Sequence, residues 1–356
     1  KFSNETWNRI IGKGKTMKSF ESKYNEIPKI ELHCHLEGSV RTETMIDLAK
    51  DHPINLPTHK LTELDQIVKI REQLSDLKSV LRAFSIFQAC MASEEAVERI
   101  TYELCEDASN QNIKLLEIRF SPDWAFSGHN LDWDLALEGI TSAQKRAFKD
   151  FGIYTGLIAI SSRGMGLASC EKTINWATRH KDVIQGIDLA DNEMEHPIHE
   201  FVHAVEKAKE AGLMVTVHSG EESPASFVID TIQAVHPNRI GHGIHIIQNQ
   251  KAVETVIENG ITLEVNPWSN YLTNSVKKIE EHPLKQLLDL GVKVTINSDD
   301  PEVLDTNLNN EYRIACEILG MSIEEIQKCN AYALEASFLP GYIKEVLVRQ
   351  FPEWSS

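Results

Sequence analysis

The sequence is short of positive charge and of patterned cysteine. Its 36 Lys and Arg face 53 Asp and Glu, a net charge of −17 over 356 residues. That balance argues against a nucleic-acid backbone or an anionic membrane as the main partner, since both need clustered cations. The longest basic cluster, GKGKTMK at residues 12–18, is short. The six cysteines, at 34, 90, 105, 170, 316 and 329, never form a Cys-x-x-Cys pair. A zinc ribbon and a thioredoxin-like motif are therefore excluded, and unpatterned cysteines in a long chain fit a reducing compartment. No run reaches the ~18 continuous apolar residues of a membrane span. The polar opening KFSNETWNRIIGKGK lacks a signal-peptide core, so the expectation is a cytoplasmic protein. Neither G-x-G-x-x-G nor G-x-x-x-x-G-K-[ST] occurs, so no glycine-rich phosphate loop announces a nucleotide fold.

The composition, 42% hydrophobic and 25% charged, is that of a globular chain with a sizeable core. Short apolar, β-branched runs alternate with helical patterns. Eight such runs stand out: KIELH (29–33), KLLEIRF (114–120), IYTGLIAI (153–160), VIQGIDLA (183–190), LMVTVH (213–218), RIGH (239–242), ITLEV (261–265) and VKVTINS (292–298). Strands without a polar face belong to a parallel sheet covered on both sides. Eight strand–helix units predict an α/β fold of the TIM type, a closed (β/α)8 barrel.

The expected layout is an N-terminal extension over 1–27, one barrel over 28–345 and a C-terminal tail over 346–356. Residues 36–113 are too long for one crossover, which predicts a helical lid inserted at about 40–112 after the first strand. Within it, SVLRAFSIFQACM places Leu81, Phe84 and Phe87 at helical spacing. They read as core, and also as an apolar wall over a substrate.

The stretch ELHCHLEGS sets His33 and His35 one residue apart. On a strand both point to one face, about 7 Å apart, with Cys34 opposite. Alone, such a pair is more often a hydrogen-bonded surface feature than a metal site. Barrel active sites, however, lie at the C-terminal strand ends. Those ends carry His33 and His35, then His218 followed by Glu221 and Glu222, then His242, then Asp299 and Asp300; the middle strands add Arg119, Arg163, Asp188 and Asp191. Four strand ends bearing histidines and carboxylates at one rim predict a nitrogen–oxygen metal site suited to zinc. A metal there lowers the pKa of a water toward ~7. Glu221, past the bend at Gly220, is placed to move a proton. His242, between two glycines, is the candidate base or electrostatic partner, with His245 as its rival. One of Asp299 and Asp300 takes metal and the other takes substrate.

In order, the motifs ELHCHLEGS, TVHSGEE, RIGHGIH, EVNPWSNYLT and TINSDDP resemble the adenosine deaminases of the amidohydrolase superfamily, over about residues 28–340. The resemblance implies a barrel binding one Zn2+ per chain through His33, His35, His218 and Asp299. It implies hydrolysis of adenosine, and of 2′-deoxyadenosine, to inosine and ammonia. Glu221 would protonate purine N1, His242 would orient and deprotonate the water, and Asp300 would hold N7. Asp299 would serve catalysis as well as the metal, and His35 would border the substrate. Two positions depart from the vertebrate-type pattern: Glu37 stands for a shorter Asp near the ribose 5′-hydroxyl, and Asp191 for a glycine near N3. Both become expected sugar-side contacts. The partners implied are a purine nucleoside and water, with no nucleic acid and no membrane. Two alternatives stand beside this reading: a deaminase of adenine, 5′-methylthioadenosine or aminodeoxyfutalosine, and an inactive barrel acting as a growth-factor-like binding protein.

Overall fold

A computed structural model describes residues 23–74 and 84–355. Eight strands form one sheet in chain order, every neighbouring pair parallel. They are β1 (Lys29–His35), β2 (Ile113–Phe120), β3 (Tyr154–Ser162), β4 (Gly186–Ala190), β5 (Met214–Ser219), β6 (Arg239–His242), β7 (Thr262–Val265) and β8 (Lys293–Ile296). The sheet closes just beyond β8, where Asp299 bridges to Cys34. There His35 N–H donates to Asp299 O at 2.8 Å and Asp299 N–H donates to His33 O at 3.1 Å. The result is the expected barrel, with helices between its strands.

The strands are buried along nearly their whole length, as β-branched runs lacking a polar face require. The helices between them begin where side chains satisfy the free N–H groups of a first turn. Ser93 accepts from Ala96 N–H to start Glu94–Asn110, and Asp132 accepts from Asp134 and Leu135 to start Trp133–Phe151. Ser322 and Glu325 form a reciprocal capping box ahead of Ile323–Ala336.

The long stretch after β1 is helical at Thr42–Asp51, Leu61–Val68 and 84–89. Its last helix, Glu94–Asn110, is the crossover into β2, so the additional helical layer ends before residue 94 rather than near 112. No helix among the described residues is long and apolar enough to cross a membrane.

Both expected boundaries shift. Tyr24 is 1% exposed, and its carbonyl, with those of Ile27 and Gln111, receives the buried Lys29 ammonium. Residues 23–27 therefore pack as part of the barrel. At the other end, helix Gly341–Gln350 runs through the expected boundary at 345, and the turn after it buries Trp354 to 2% exposure. Trp354 and Leu347 pack with Ile30, Leu32, Leu115 and Leu334 over the N-terminal ends of the first strands. The segment is a plug, not a tail, because the strand ends there are apolar and need covering. Trp354→Ala is expected to lower stability by about 3–5 kcal/mol in urea unfolding, the cost of emptying a large buried site; a wild-type midpoint would count against this packing.

Candidate active site

Barrel closure determines where the first ligands go. The main-chain bonds that join β1 to the end of β8 hold His33, His35 and Asp299 side by side. Asp299 takes φ +66°, a conformation that most side chains resist and that turns its carboxylate inward. A bulge helps: between Glu31 and Cys34, two residues of β1 stand opposite one of β2. His33 Nε2 and His35 Nε2 lie 3.1 and 3.2 Å from Asp299 Oδ1, and 3.3 Å from each other. His218 arrives from the end of β5. One ligand atom from each of these four residues lies within 4.8 Å of all the others.

The arrangement fits a metal ion because of what stands behind it. His33 Nδ1 is 2.8 Å from Glu264 Oε2, and His218 Nδ1 is 3.0 Å from Asp188 Oδ2. Burial opposes ionisation of both carboxyls, but for Glu264 the charges of Arg119 and Arg239 outweigh it, and for Asp188 those of His218 and Arg119 do. Both stay ionised, so each draws the proton of its histidine to Nδ1 and leaves Nε2 with a lone pair. His33 Nε2 and Asp299 Oδ1 then meet acceptor to acceptor at 3.1 Å, which repels unless a cation lies between them. Arg119 itself is fully buried, bonding Asp188 at 2.7 Å, Glu264 at 2.7 Å and Leu32 O at 2.7 Å. Arg239 joins Glu264 to Glu117.

Around the cluster stand three more titratable groups. His242, at φ +61°, brings its ring centroid within 5.1 Å of both His33 and His218. Its Nε2 lies 3.4 Å from Glu221 Oε2 and 3.9 Å from Asp299 Oδ2. Glu221 sits on the turn after Gly220, whose φ of +75° suits glycine. That turn is wound around one carboxylate: Glu193 accepts backbone N–H bonds from Gly220, Glu221, Glu222 and Ser223 at 2.9–3.1 Å. Burial acts against the Glu193 charge, and Ser223 with the neighbouring amides outweighs it. Asp300 is buried with Oδ1 unpartnered, and any side chain at Gly38 would strike its carboxylate.

A family model described as adenosine deaminase matches residues 28–354. An adenosine deaminase of Vibrio parahaemolyticus is 35% identical over 313 residues, 88% of this chain and 94% of its own length. One from Clostridium acetobutylicum is 34% identical over 324 residues, 91% and 97% of the two chains. This chain belongs to the adenosine deaminase family. It is a hydrolytic deaminase, and solved deaminases share its fold. The crystal structure of an adenine deaminase from Arthrobacter aurescens superposes with a TM-score of 0.84 at 28% identity, covering 92% of this chain and 98% of that one. An Arabidopsis N6-mAMP deaminase superposes at 0.81 with 26% identity, covering 94% and 98%.

The candidate site brings together His33, His35, His218, Asp299, Glu221 and His242; it is His242 rather than His245 whose ring faces the cluster. Other expected residues stand differently. Glu37 is buried, with Oε1 taking Ser121 N–H at 2.6 Å and Oε2 unpartnered. The Asp191 carboxylate is occupied by Ser162 Oγ at 2.7 Å and by the amides of Gly164 and Asn192, so it braces the loops after β3 and β4. Phe87 is core at 0% exposure, while Phe84 is part-buried with its ring 6.4 Å from that of Trp124. Leu81 lies outside the described residues. Arg163 donates to the carbonyls of His196 and His218.

Sequence reasoning missed Glu264, Glu193, Asn266 and Asn270. Glu264 had a signal, an acid inside the apolar run ITLEV of a buried strand. Glu264→Gln would remove the counter-charge facing Arg119 and Arg239 and release the His33 tautomer. Metal affinity, read by chelator competition, is expected to fall ~10–100-fold, as for other partners behind metal-binding histidines; unchanged affinity would contradict that role.

Proposed function

We propose that this deaminase converts adenosine, and 2′-deoxyadenosine, to inosine and ammonia with one zinc ion held by His33, His35, His218 and Asp299. The carrying observation is the convergence of four lone-pair donors beside the His242–Glu221 pair. Three imidazole nitrogens and a carboxylate suit zinc. When bound, such an ion supplies Lewis acidity that brings the pKa of a water toward ~7.

The chain's own residues manage the purine and the protons. Attack at C6 needs electron density drawn from the ring, which protonation at N1 provides. Burial, then the charges of Asp299, Glu222 and Glu193, push the Glu221 carboxyl well above the usual range. That favours the protonated acid, the form able to donate to N1. A cation in the cluster opposes this push, and a purine covering the site adds to it. Asp300 is raised for similar reasons, burial first and then Asp299 and Glu37. A protonated Asp300 donates to N7, which is an acceptor. His242 orients the attacking water from beside Glu221. Glu37, with one buried oxygen unpartnered, is the ribose contact; Asp191 supports that side indirectly through its loop brace.

A nucleoside is favoured over a nucleotide because the strand-end cations are engaged: Arg119 with Asp188 and Glu264, Arg163 with two carbonyls. An ultraviolet assay of kcat/KM on adenosine, 2′-deoxyadenosine, adenine, 5′-methylthioadenosine, aminodeoxyfutalosine and AMP tests the reading. Adenosine should lead, chelator should abolish turnover, and added zinc should restore it; a lead for free adenine would overturn the nucleoside assignment. Glu221→Gln should keep its zinc and lose turnover by ~10²–10⁴-fold, the scale of a lost proton donor. A variant with the wild-type rate would remove Glu221 from that role.

A further inference from the structure

We propose that His282, which does not reach the cluster, is a positioning residue that fixes the tautomer of His242 through Asn270. His282 is 3% exposed and precedes helix Leu284–Asp289. The chain of donors starts from a group that can only donate, the Leu284 backbone N–H, which lies 3.2 Å from His282 Nδ1. Nδ1 therefore accepts. Burial holds the ring neutral, its pKa pushed down to about 3, so its one proton sits on Nε2. That atom lies 3.2 Å from Asn270 Oδ1.

The oxygen of the Asn270 amide is thus turned to His282, and its Nδ2 faces His242 Nδ1 at 2.9 Å. Asn266 Nδ2 lies 3.2 Å from the same ring nitrogen and 3.5 Å from Nε2, so it does not discriminate between them. The Asn270 donor on Nδ1 leaves no room for a proton there. The His242 proton is placed on Nε2, the atom facing Glu221 and Asp299. His242 thereby presents a hydrogen-bond donor to the pocket: it grips the oxygen of the attacking water rather than removing its proton, which revises the base role implied by the family resemblance. The relay also explains why Asn270, fully buried at 0% exposure, is an amide. A carboxylate would accept from both rings and draw the His242 proton to Nδ1.

This inference rests on the proposed place of His242 beside the water, and its test reads the relay without substrate. The zinc-loaded protein is prepared with 15N-labelled histidine, and long-range proton–nitrogen correlation reports which ring nitrogen of His242 carries the proton. Wild type should show Nε2–H. Asn270→Asp should move the proton to Nδ1, keep one zinc per chain, leave KM within about threefold and lower kcat by ~100-fold, the lower end of acid–base contributions. His282→Phe, which keeps an aromatic ring but lacks the donor, should give both tautomers and a smaller loss of kcat, ~10-fold. A wild-type proton on Nδ1, or an unchanged His242 pattern in either folded variant, would overturn the relay. If Asn270→Asp moves the proton but not kcat, the relay stands and the proposed role of His242 falls. Should both variants misfold, the wild-type spectrum alone decides.

Discussion

The structure turns on the seam between β1 and the end of β8. Two main-chain hydrogen bonds, from His35 to Asp299 and from Asp299 to His33, close the barrel and place three donor groups in one act. His33 and Asp299, joined by that seam, would otherwise repel, since their lone pairs converge at 3.1 Å. Closing the sheet and building the metal site are therefore one event. A positive φ at Asp299 is the local strain this demands. Such strain persists only where surrounding structure over-determines it, and the parallel ladders on either side do so.

Inside the barrel the charges are organised for the site rather than for stability. Arg119 and Arg239 thread between Asp188, Glu264 and Glu117, all buried. A buried network of this kind roughly balances desolvation against attraction, and apolar side chains would fill the space as stably. Its distinctive product is two carboxylates held ionised behind His33 and His218. With neutral acids in those places, the imidazoles would be free to turn their protons toward the cluster. Arg119 couples the two halves, since one guanidinium touches both carboxylates.

The barrel and the residues that meet in the His/Asp cluster were legible because their signals are local. A β-branched run ending in a histidine or an aspartate needs no partner to be recognised, and ELHCH and TINSDD each carry their own spacing. The groups that steer those residues were not, because their meaning depends on register. Glu264 acquires its role only when β7 lies near β1, and Glu193 only when the loop after β4 meets the turn after β5. The bulge between Glu31 and Cys34 is a property of pairing with β2, invisible in β1 alone. Asp191 was expected as a sugar contact from its place in the motif alone; its bonds to Ser162 and Gly164 depend on how the loops after β3 and β4 meet. Trp354 was read as tail because the strand residues it covers, Ile30, Leu32 and Leu115, lie far away in sequence.

What remains is how one small volume keeps some groups charged and others neutral. The sorting follows from partners. Asp188 and Glu264 have cations or histidine donors within about hydrogen-bond distance, and burial cannot neutralise them. Glu221 and Asp300 face mainly other carboxylates, so burial and repulsion push both toward their protonated forms. His242 is buried among other histidines and meets amide donors, and burial first of all holds it neutral. Protonated acids thus stand beside the cluster, and the lone pairs of His33, His218 and Asp299 converge within it. Shifting one partner, the Arg119 guanidinium for instance, would move both sets in the same direction, because it restrains Asp188 and Glu264 directly and Asp300 through its field. The division between charged and neutral groups at the candidate site is therefore one property of a single buried charge network, not a sum of independent residues.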